Sequence, residues 1–193
     1  MAGKKRIYRR WNQWNRRRWK RWNRYNYLPV KIDVSGDLVF PSGSSGQPKF
    51  SNSDGQIINF ESFFGTGSEF AKYKDMFTYY RVAGIRLDFV PAPGNGSSDM
   101  THTKPVYVGW FLTGQSTDNI PNLPFSDKAM LLNPLQRTTR YWSFHGAQDD
   151  YKTMATTFSG YTAVYTAENA TDNTGPAWSY RMTLYCLLKL VKT

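Results

Sequence analysis

The sequence predicts an all-β protein, a sandwich or jelly roll of two packed antiparallel sheets with long loops, one short helix and a basic N-terminal arm. Two observations carry this prediction. Several segments alternate apolar and polar residues with a period of two, and loops rich in Gly, Pro, Ser and Asn separate them. Aromatic residues make up 17% of the 193-residue chain, which suits sheets that pack face to face.

Six segments are predicted to form strands. Apolar and charged residues alternate along "LPVKIDV" (28–34) and "IRLDFVP" (85–91), as they do in half-buried strands. The segment "PVYVGWFLT" (105–113) is apolar on both sides, which is typical of a strand inside a sheet. The remaining predicted strands span residues 137–146, 161–167 and 178–190, and the last of these alternates most clearly.

One short amphipathic helix is predicted over residues 68–80. In this segment Phe70, Tyr73, Phe77 and Tyr80 recur at spacings of three and four residues, which places them on one face of a helix. Because the other predicted elements are strands, alternating β/α units are not indicated. The body after the arm is long enough to bury a hydrophobic core of its own.

The positive charge of the chain is confined to its first 27 residues. The formal net charge is +11, and residues 1–27 contain eleven cations and no acid, which leaves 14 cations and 14 acids in the rest. We therefore divide the chain into a basic arm, residues 1–27, and a folded body without net charge, residues 28–193. The eleven cations of the arm are Lys4, Lys5, Arg6, Arg9, Arg10, Arg16, Arg17, Arg18, Lys20, Arg21 and Arg24.

Tryptophans are interleaved with these cations in two similar halves, "RRWNQWN" (9–15) and "RRWKRWN" (17–23). Arginine and lysine neutralise phosphates and release counterions. Indole rings stack on unpaired bases, each stack contributing about 1–3 kcal/mol. The arm is therefore predicted to bind single-stranded nucleic acid through its cations and through Trp11, Trp14, Trp19 and Trp22.

Three other interpretations of the arm stay open at this point. A basic run also serves as a nuclear localisation signal, which is compatible with nucleic-acid binding, or as a solvated tail. Interleaved tryptophan and arginine is also typical of peptides that lie at a membrane interface, so membrane contact of the arm is an alternative. A further alternative for the whole chain is a cellular single-stranded nucleic-acid-binding protein, active as a monomer or small oligomer.

Three patches of the sequence resemble the capsid proteins of circoviruses and related small viruses with circular single-stranded DNA. They are the Arg-rich aromatic N-terminus, "MFTYYRVAGIRLDFVPAP" (76–93) and "SYRMTLYCLLKLV" (179–191). Together the patches cover roughly a quarter of the chain, in the order in which the family has them. The chain departs from the family in being shorter and in having an arm with more tryptophan and fewer unbroken arginine runs.

The resemblance implies a single jelly roll that assembles into a small icosahedral shell, with 60 copies in a T=1 particle and arms on the genome. Sixty arms of eleven cations, about 660 charges, would offset a large part of a genome of about 10³ nucleotides. The resemblance also implies location in the virion and, during assembly, the host nucleus, with nuclear import factors and a host receptor as further partners. DNA rather than RNA rests on the resemblance alone, because stacking and phosphate contacts suit both.

No catalytic set is found in the sequence, and we expect no enzymatic activity, cofactor or metal site. There is no Gly-x-Ser-x-Gly elbow, no phosphate-binding Gly-Lys-Ser/Thr loop and no His-hydrophobic-His motif. Cys186 falls on the apolar side of the last predicted strand, where a buried structural thiol is expected rather than a nucleophile.

Other polar residues of the body are expected to be structural. His102 and His145, the only histidines, are expected to be surface or partly buried side chains that bind no metal. Four cations flank the predicted helix and the strand after it. They are expected to be ordinary surface charge, or alternatively an inner-wall patch that extends the contacts of the arm: Lys72, Lys74, Arg81 and Arg86.

Overall fold

Two antiparallel β-sheets packed face to face make up the body of the protein. The computed structural model describes residues 27–40, 47–53, 55–65, 67–92, 105–112, 117–144, 150–166 and 175–190. The strands are, in chain order, β1 (Tyr27–Phe40), β2 (Lys49–Phe50), β3 (Ile57–Asn59), β4 (Tyr79–Pro91), β5 (Val106–Leu112), β6 (Ala129–Leu131), β7 (Thr138–Ser143), β8 (Lys152–Thr153), β9 (Gly160–Thr166) and β10 (Gly175–Lys189).

The order of these strands is that of a jelly roll. The larger sheet has six strands in the order β2-β1-β10-β4-β7, with β8 also paired to β4, and the smaller sheet has four in the order β3-β9-β5-β6. Without the two-residue strands β2 and β8, each sheet has four strands, and successive strands of the chain mostly alternate between the sheets. Eight antiparallel strands in two sheets form the predicted jelly roll.

The first and last described strands form the centre of the larger sheet. β1 pairs with β10 along its whole length, from Tyr27 opposite Lys189 to Phe40 opposite Gly175. β4 pairs with the other edge of β10, so that β10 has a partner on both sides. Because β1 and β10 lie at opposite ends of the body's sequence, the larger sheet forms only when the two ends of the body come together.

The core lies between the two sheets and follows the predicted alternation. Apart from the register shifts in their pairing, β1, β4 and β10 alternate inward and outward residues, so that Ile32, Leu87 and Leu184, among others, are fully buried. A row of aromatic rings fills one end of the core, where Phe64 and Phe70 pack edge to face with ring centroids 4.7 Å apart. Aromatic pairs in this geometry stabilise a core beyond the area that they bury.

A second apolar layer covers the outside of the smaller sheet. The 3-10 helix Thr117–Phe125 places Ile120 and Leu123 against Phe111 and Tyr161 of the strands beneath. The opposite face of β5 contributes Val108 to the core between the sheets. β5 is therefore buried on both faces, which confirms the interpretation of its doubly apolar sequence.

All six predicted strands are present, but the predicted helix is shorter than residues 68–80. The chain forms a 3-10 helix over Glu69–Tyr73, and β4 already begins at Tyr79. The apolar spacing that indicated a helix arises because Phe70 is buried in the core while Phe77 packs against it from the following turn. A further 3-10 helix, Phe60–Phe64, was not predicted.

Candidate nucleic-acid interface

The predicted binding residues of the arm, from Lys4 to Arg24, all lie outside the described residues, as do His102 and His145. Tyr27, the last residue assigned to the arm, is the first residue of β1, which lies in the larger sheet. The described part of the interface is therefore the surface of the body next to the end of the arm. This surface is the outer face of the larger sheet, defined here as the face turned away from the smaller sheet.

Side chains of the outer face come from alternate positions of four neighbouring strands. Residues of β10 that point outward include Arg181, Thr183 and Tyr185, because their neighbours Met182 and Leu184 point into the core. The register places further polar residues beside them on β1, β4 and β7, in five cross-strand pairs: Lys31 with Tyr185, Asp33 with Thr183, Arg181 with Asp88, Thr183 with Arg86, and Arg86 with Tyr141.

Asp33 is held by two partners on β10. Arg181 forms an ion pair with its carboxylate, and the Thr183 hydroxyl donates a hydrogen bond to the same group. Burial alone would raise the pKa of Asp33, but the hydrogen bonds from Arg181 and Thr183 and the nearby positive charges leave it below its ordinary value. Asp33 is therefore ionised at neutral pH, and its charge is compensated within the sheet.

Asp88 forms the second and more buried carboxylate site of this face. The Arg137 guanidinium forms an ion pair with it, Arg86 approaches to 3.2 Å, and the Thr139 hydroxyl donates a 2.7 Å hydrogen bond. The hydrogen bond from Arg137 is the largest influence and lowers the pKa of Asp88 despite its burial. Two arginines thus surround one carboxylate, which keeps it charged and joins β4 to β7.

Aromatic rings and cations form a cluster where the arm joins the body. We call Tyr27, Arg81, Tyr151 and Lys189 the arm-root cluster. The rings of Tyr27 and Tyr151 stack with centroids 5.8 Å apart and an interplanar angle of 22°. The Lys189 Nζ lies 5.9 Å from the Tyr27 centroid and 5.5 Å from the Tyr151 centroid, and the Arg81 guanidinium lies 5.4 Å from the latter. These distances are those of cation–π contacts.

A similar group lies next to the arm-root cluster on the same face. The Lys31 Nζ lies 5.7 Å from the ring centroid of Tyr185. On the other side of that ring, Tyr141 packs edge to face with centroids 5.3 Å apart. Lys31 itself is exposed. The cations near the arm therefore rest on aromatic rings, whereas the arginines farther along the sheet pair with Asp33 and Asp88.

The outer face is therefore divided into two halves of different chemistry. In the half around Asp33 and Asp88, carboxylates compensate the arginines. In the half next to the arm, Lys31 and Lys189 form no ion pair within 4 Å with a carboxylate of the described residues, and both contact tyrosine rings, while Lys31 is close enough to Asp33 to help lower its pKa. Cations and flat aromatic faces are the groups that contact the phosphates and unpaired bases of a nucleic-acid strand.

Two of the four cations singled out in the body are brought to this face. Arg81 belongs to the arm-root cluster and Arg86 to the Asp88 site, while Lys72 and Lys74 are exposed at the 3-10 helix before β4. The sequence did not reveal Tyr27, Tyr151 and Lys189 as neighbours. Tyr27 is more than 100 residues from both Tyr151 and Lys189 in the sequence, and the three residues share no motif. Only the folded arrangement of the chain brings them together.

The described residues also include a thiol, potential metal ligands and helices, which bear on reactivity, metal binding and membrane crossing. Cys186 is buried in the core and free of any disulfide, as expected of a structural thiol, and burial raises its pKa. Among the described residues, no group of three or more His, Cys, Asp or Glu side chains could hold a metal ion. Of the helices in those residues, none has the length and apolar character needed to cross a membrane.

Several solved structures with similar folds come from viruses. A chain in the structure of Mud crab tombus-like virus aligns with 86% of this chain, at 10% identity and a TM-score of 0.55. The alignment covers 91% of the viral chain. Cocksfoot mottle virus gives 10% identity, a TM-score of 0.56 and 96% of the chain matched. A T=1 subviral particle of a Penaeus vannamei nodavirus capsid protein deletion mutant gives 12% identity, a TM-score of 0.57 and 98% of the chain matched, again over 86% of this chain.

At these identities the likeness establishes the fold, which is the jelly roll found in the chains of these virus particles. None of these three viruses is a circovirus, so the fold does not favour that family over other viruses with the same architecture. No protein-family model matches the chain, and no curated protein sequence matches it.

Proposed function

We propose that this protein is the coat subunit of a small virus, which assembles with copies of itself into an icosahedral shell and packages the genome through its arm. The observation that carries the proposal is the division of the chain: eleven cations precede residue 28, and the jelly roll that follows has no net charge. A neutral body allows many copies to meet without repulsion, while the arm neutralises a polyanion.

The fold supports self-assembly. Among the similar structures, the nodavirus capsid protein forms a T=1 particle, and 98% of that chain is matched by this one. That particle was formed by a deletion mutant. We propose the same simplest shell of 60 copies for this protein, with the virion as its location.

The finer parts of the proposal rest on the sequence. We propose that the packaged genome is circular single-stranded DNA, as in the circoviruses that the patches at 76–93 and 179–191 resemble, with RNA as the alternative. The four tryptophans of the arm favour a single strand, because a duplex hides its base faces. The basic arm also serves, in this proposal, as the nuclear localisation signal, and the protein acts without catalysis or cofactor.

The experiment that tests packaging compares the full chain with two arm variants. In one, the eleven arm cations become glutamine, and in the other every arm arginine becomes lysine. Expressed particles are treated with nuclease, imaged by electron microscopy and assayed for protected nucleic acid. We expect uniform particles in all three cases and protected nucleic acid only in the wild type and the lysine variant, because phosphate neutralisation depends on charge.

Other outcomes would favour the alternatives. A full chain that stays monomeric or forms a small oligomer, yet binds oligonucleotides in a salt-dependent manner, would contradict the coat function and support a non-viral binding protein. Leakage from liposomes without affinity for nucleic acid would support a membrane-active arm. The type of genome is tested by digesting nucleic acid extracted from naturally produced particles with DNase and RNase in parallel.

A further inference from the structure

We infer that the arm-root cluster, with the neighbouring Lys31 and Tyr185, forms a second contact for the single strand, on the folded body itself. This inference rests on the proposed function, because it names where a strand held by the arm continues. It concerns four residues that the sequence did not connect, Tyr27, Tyr151, Tyr185 and Lys189, and their neighbours Arg81 and Lys31.

The position of the cluster is the first argument. Tyr27 begins β1 and follows the last arm cation, Arg24, by three residues. Lys189 lies directly opposite Tyr27 in the register and approaches its ring, so the cluster lies where the arm enters the sheet. A nucleic-acid strand bound by the arm residues just before Tyr27 would therefore lie close to this cluster.

The chemistry of the cluster matches that of the arm. Both combine cations with aromatic rings and both offer a flat ring face beside a positive charge. The stacked rings of Tyr27 and Tyr151 and the ring of Tyr185 supply surfaces on which bases stack, and Lys31 and Lys189 supply charges for phosphates. Lys31 is exposed, and Tyr151 is 36% exposed, so both are accessible in the subunit.

Carboxylates are unevenly distributed over the outer face of the larger sheet. Asp33 and Asp88 pair with arginines in the far half of the outer face, and Asp37 accepts a hydrogen bond from Ser179 there. In the near half Lys31 and Lys189 rest on rings, and of these two Lys31 also lies near the Asp33 charge. The pair Tyr27–Lys189 and the pair Lys31–Tyr185 are four positions apart on β10, with three residues between them, a separation of about 13 Å along the strand. The two cation–aromatic groups are thus spaced along β10, with the apolar pair Pro29 and Leu187 between them.

The test measures binding of a fluorescent oligothymidine to the full chain by anisotropy at several salt concentrations. The variant is Lys31→Gln combined with Lys189→Gln. If each lysine contacts a phosphate, the slope of log K against log salt falls in magnitude by about 0.7 per lysine, or about 1.4 for the pair.

The matched control is Lys128→Gln combined with Arg140→Gln, which removes the same charge from outside the outer face, since Arg140 lies opposite the inward-pointing Leu87. Lys128 also rests on an aromatic ring, 5.2 Å from the Trp110 centroid, so the control also removes a cation–π contact. We expect the slope of the control to equal that of the wild type. Equal slopes for the variant and the control would overturn the inference.

A second readout does not depend on lysine substitution. The full chain is irradiated with an oligonucleotide that contains 5-bromodeoxyuridine, and cross-linked peptides are mapped by mass spectrometry. We expect cross-links at Tyr27, Tyr151 or Tyr185 and none at Tyr107 and Tyr165, which lie on the smaller sheet. Cross-links confined to the arm and the smaller sheet would count against the cluster.

The arm variant with eleven glutamines separates failure of this inference from failure of the proposed function. If that variant loses binding while the Lys31/Lys189 variant behaves as its control, the cluster is not a contact and the proposed function stands. If the glutamine arm binds oligothymidine as tightly as the wild type does, the proposed function itself is contradicted.

Discussion

Asp88 on β4 lies directly opposite Thr139 on β7, and the Thr139 hydroxyl donates a 2.7 Å hydrogen bond to the Asp88 carboxylate. Together with the Arg137 ion pair, this contact joins an edge strand of the larger sheet to the strand next to it. Since Asp88 is buried and charged, the contact depends on its partners remaining in place.

Replacing Asp88 with Asn should therefore destabilise the body. We expect the free energy of unfolding at pH 7 to fall by about 2 kcal/mol, the contribution of hydrogen bonds to a charged group. Urea denaturation of unassembled protein, followed by circular dichroism, measures this change. Asp75→Asn is the control, because Asp75 is exposed, and it should change stability by no more than about 0.5 kcal/mol.

The effect of Asp88 should disappear in acid. The hydrogen bond from Arg137 keeps the pKa of native Asp88 below the ordinary value of 3.8. A lowered native pKa contributes stability that is present above the unfolded pKa and is lost as the pH falls through the native pKa. The difference in stability between wild type and Asp88→Asn should therefore be constant from pH 7 down to about 5 and should shrink below pH 4. A difference independent of pH would contradict this account.

Among the described glycines, Gly160 combines a positive φ with close neighbours and should tolerate a methyl group poorly. Its φ of 152° is a backbone conformation that side chains rarely adopt, and a Cβ there would lie 2.6 Å from the Phe111 carbonyl oxygen. We expect Gly160→Ala to cost about 1–3 kcal/mol, measured as a lower melting temperature and urea midpoint. Gly67→Ala, where a Cβ meets no atom within 4 Å, should leave both values nearly unchanged.

The strands were predictable from the sequence where alternation is long. β4 and β10 have 13 and 15 residues, and their inward positions carry Leu87, Met182 and Leu184 in regular order. The short strands β2, β3, β6 and β8 were missed, because two or three residues show no periodicity. They form because longer neighbours present free hydrogen-bonding edges, which is information from the tertiary structure.

The candidate site was predictable only in part. Charge and tryptophan content indicate the arm directly, because the signal lies within one contiguous segment. The arm-root cluster gives no such signal. Lys189 meets Tyr27 through the register of β1 with β10, and Tyr151 joins them from the segment before β8. A sequence pattern cannot reveal a contact that depends on the relative register of three separated segments.

The aromatic end of the core should be among the regions most sensitive to truncation. Phe70 packs edge to face on Phe64, with centroids 4.7 Å apart, and on Tyr80, with centroids 4.9 Å apart. Phe70→Ala should therefore cost about 3–5 kcal/mol in the free energy of unfolding. Phe125 is 90% exposed in the subunit, and Phe125→Ala should change the stability of the unassembled subunit by less than about 0.5 kcal/mol. If both variants lost the same free energy of unfolding, Phe70 would not be packed in the core.

Cys186 should report on unfolding. Its thiol is buried in the core, and burial raises its pKa, so the thiol is neutral and shielded at pH 8. We expect iodoacetamide to label native protein very slowly and protein in denaturing urea rapidly, with one label per chain by mass spectrometry because the chain has one cysteine. Rapid labelling of the native protein at pH 8 would contradict the burial of this strand.

The tryptophans of the arm allow a test that separates stacking on bases from insertion into membranes. Replacing Trp11, Trp14, Trp19 and Trp22 with leucine keeps apolar side chains and all eleven cations but removes the flat indole faces. If these rings stack on bases, affinity of the full chain for oligothymidine should fall tenfold or more, because one stack contributes about 1–3 kcal/mol and 1.4 kcal/mol is a tenfold change.

The same four positions replaced with tyrosine provide the control, since tyrosine keeps an aromatic face and should retain most of the affinity. Membrane insertion would give the opposite pattern for leucine, because burial in lipid depends on apolar area rather than on a π face. The leucine variant could instead bind oligothymidine as tightly as the wild type and still disrupt liposomes. The tryptophans would then insert into a membrane, and only the cations would bind the nucleic-acid strand.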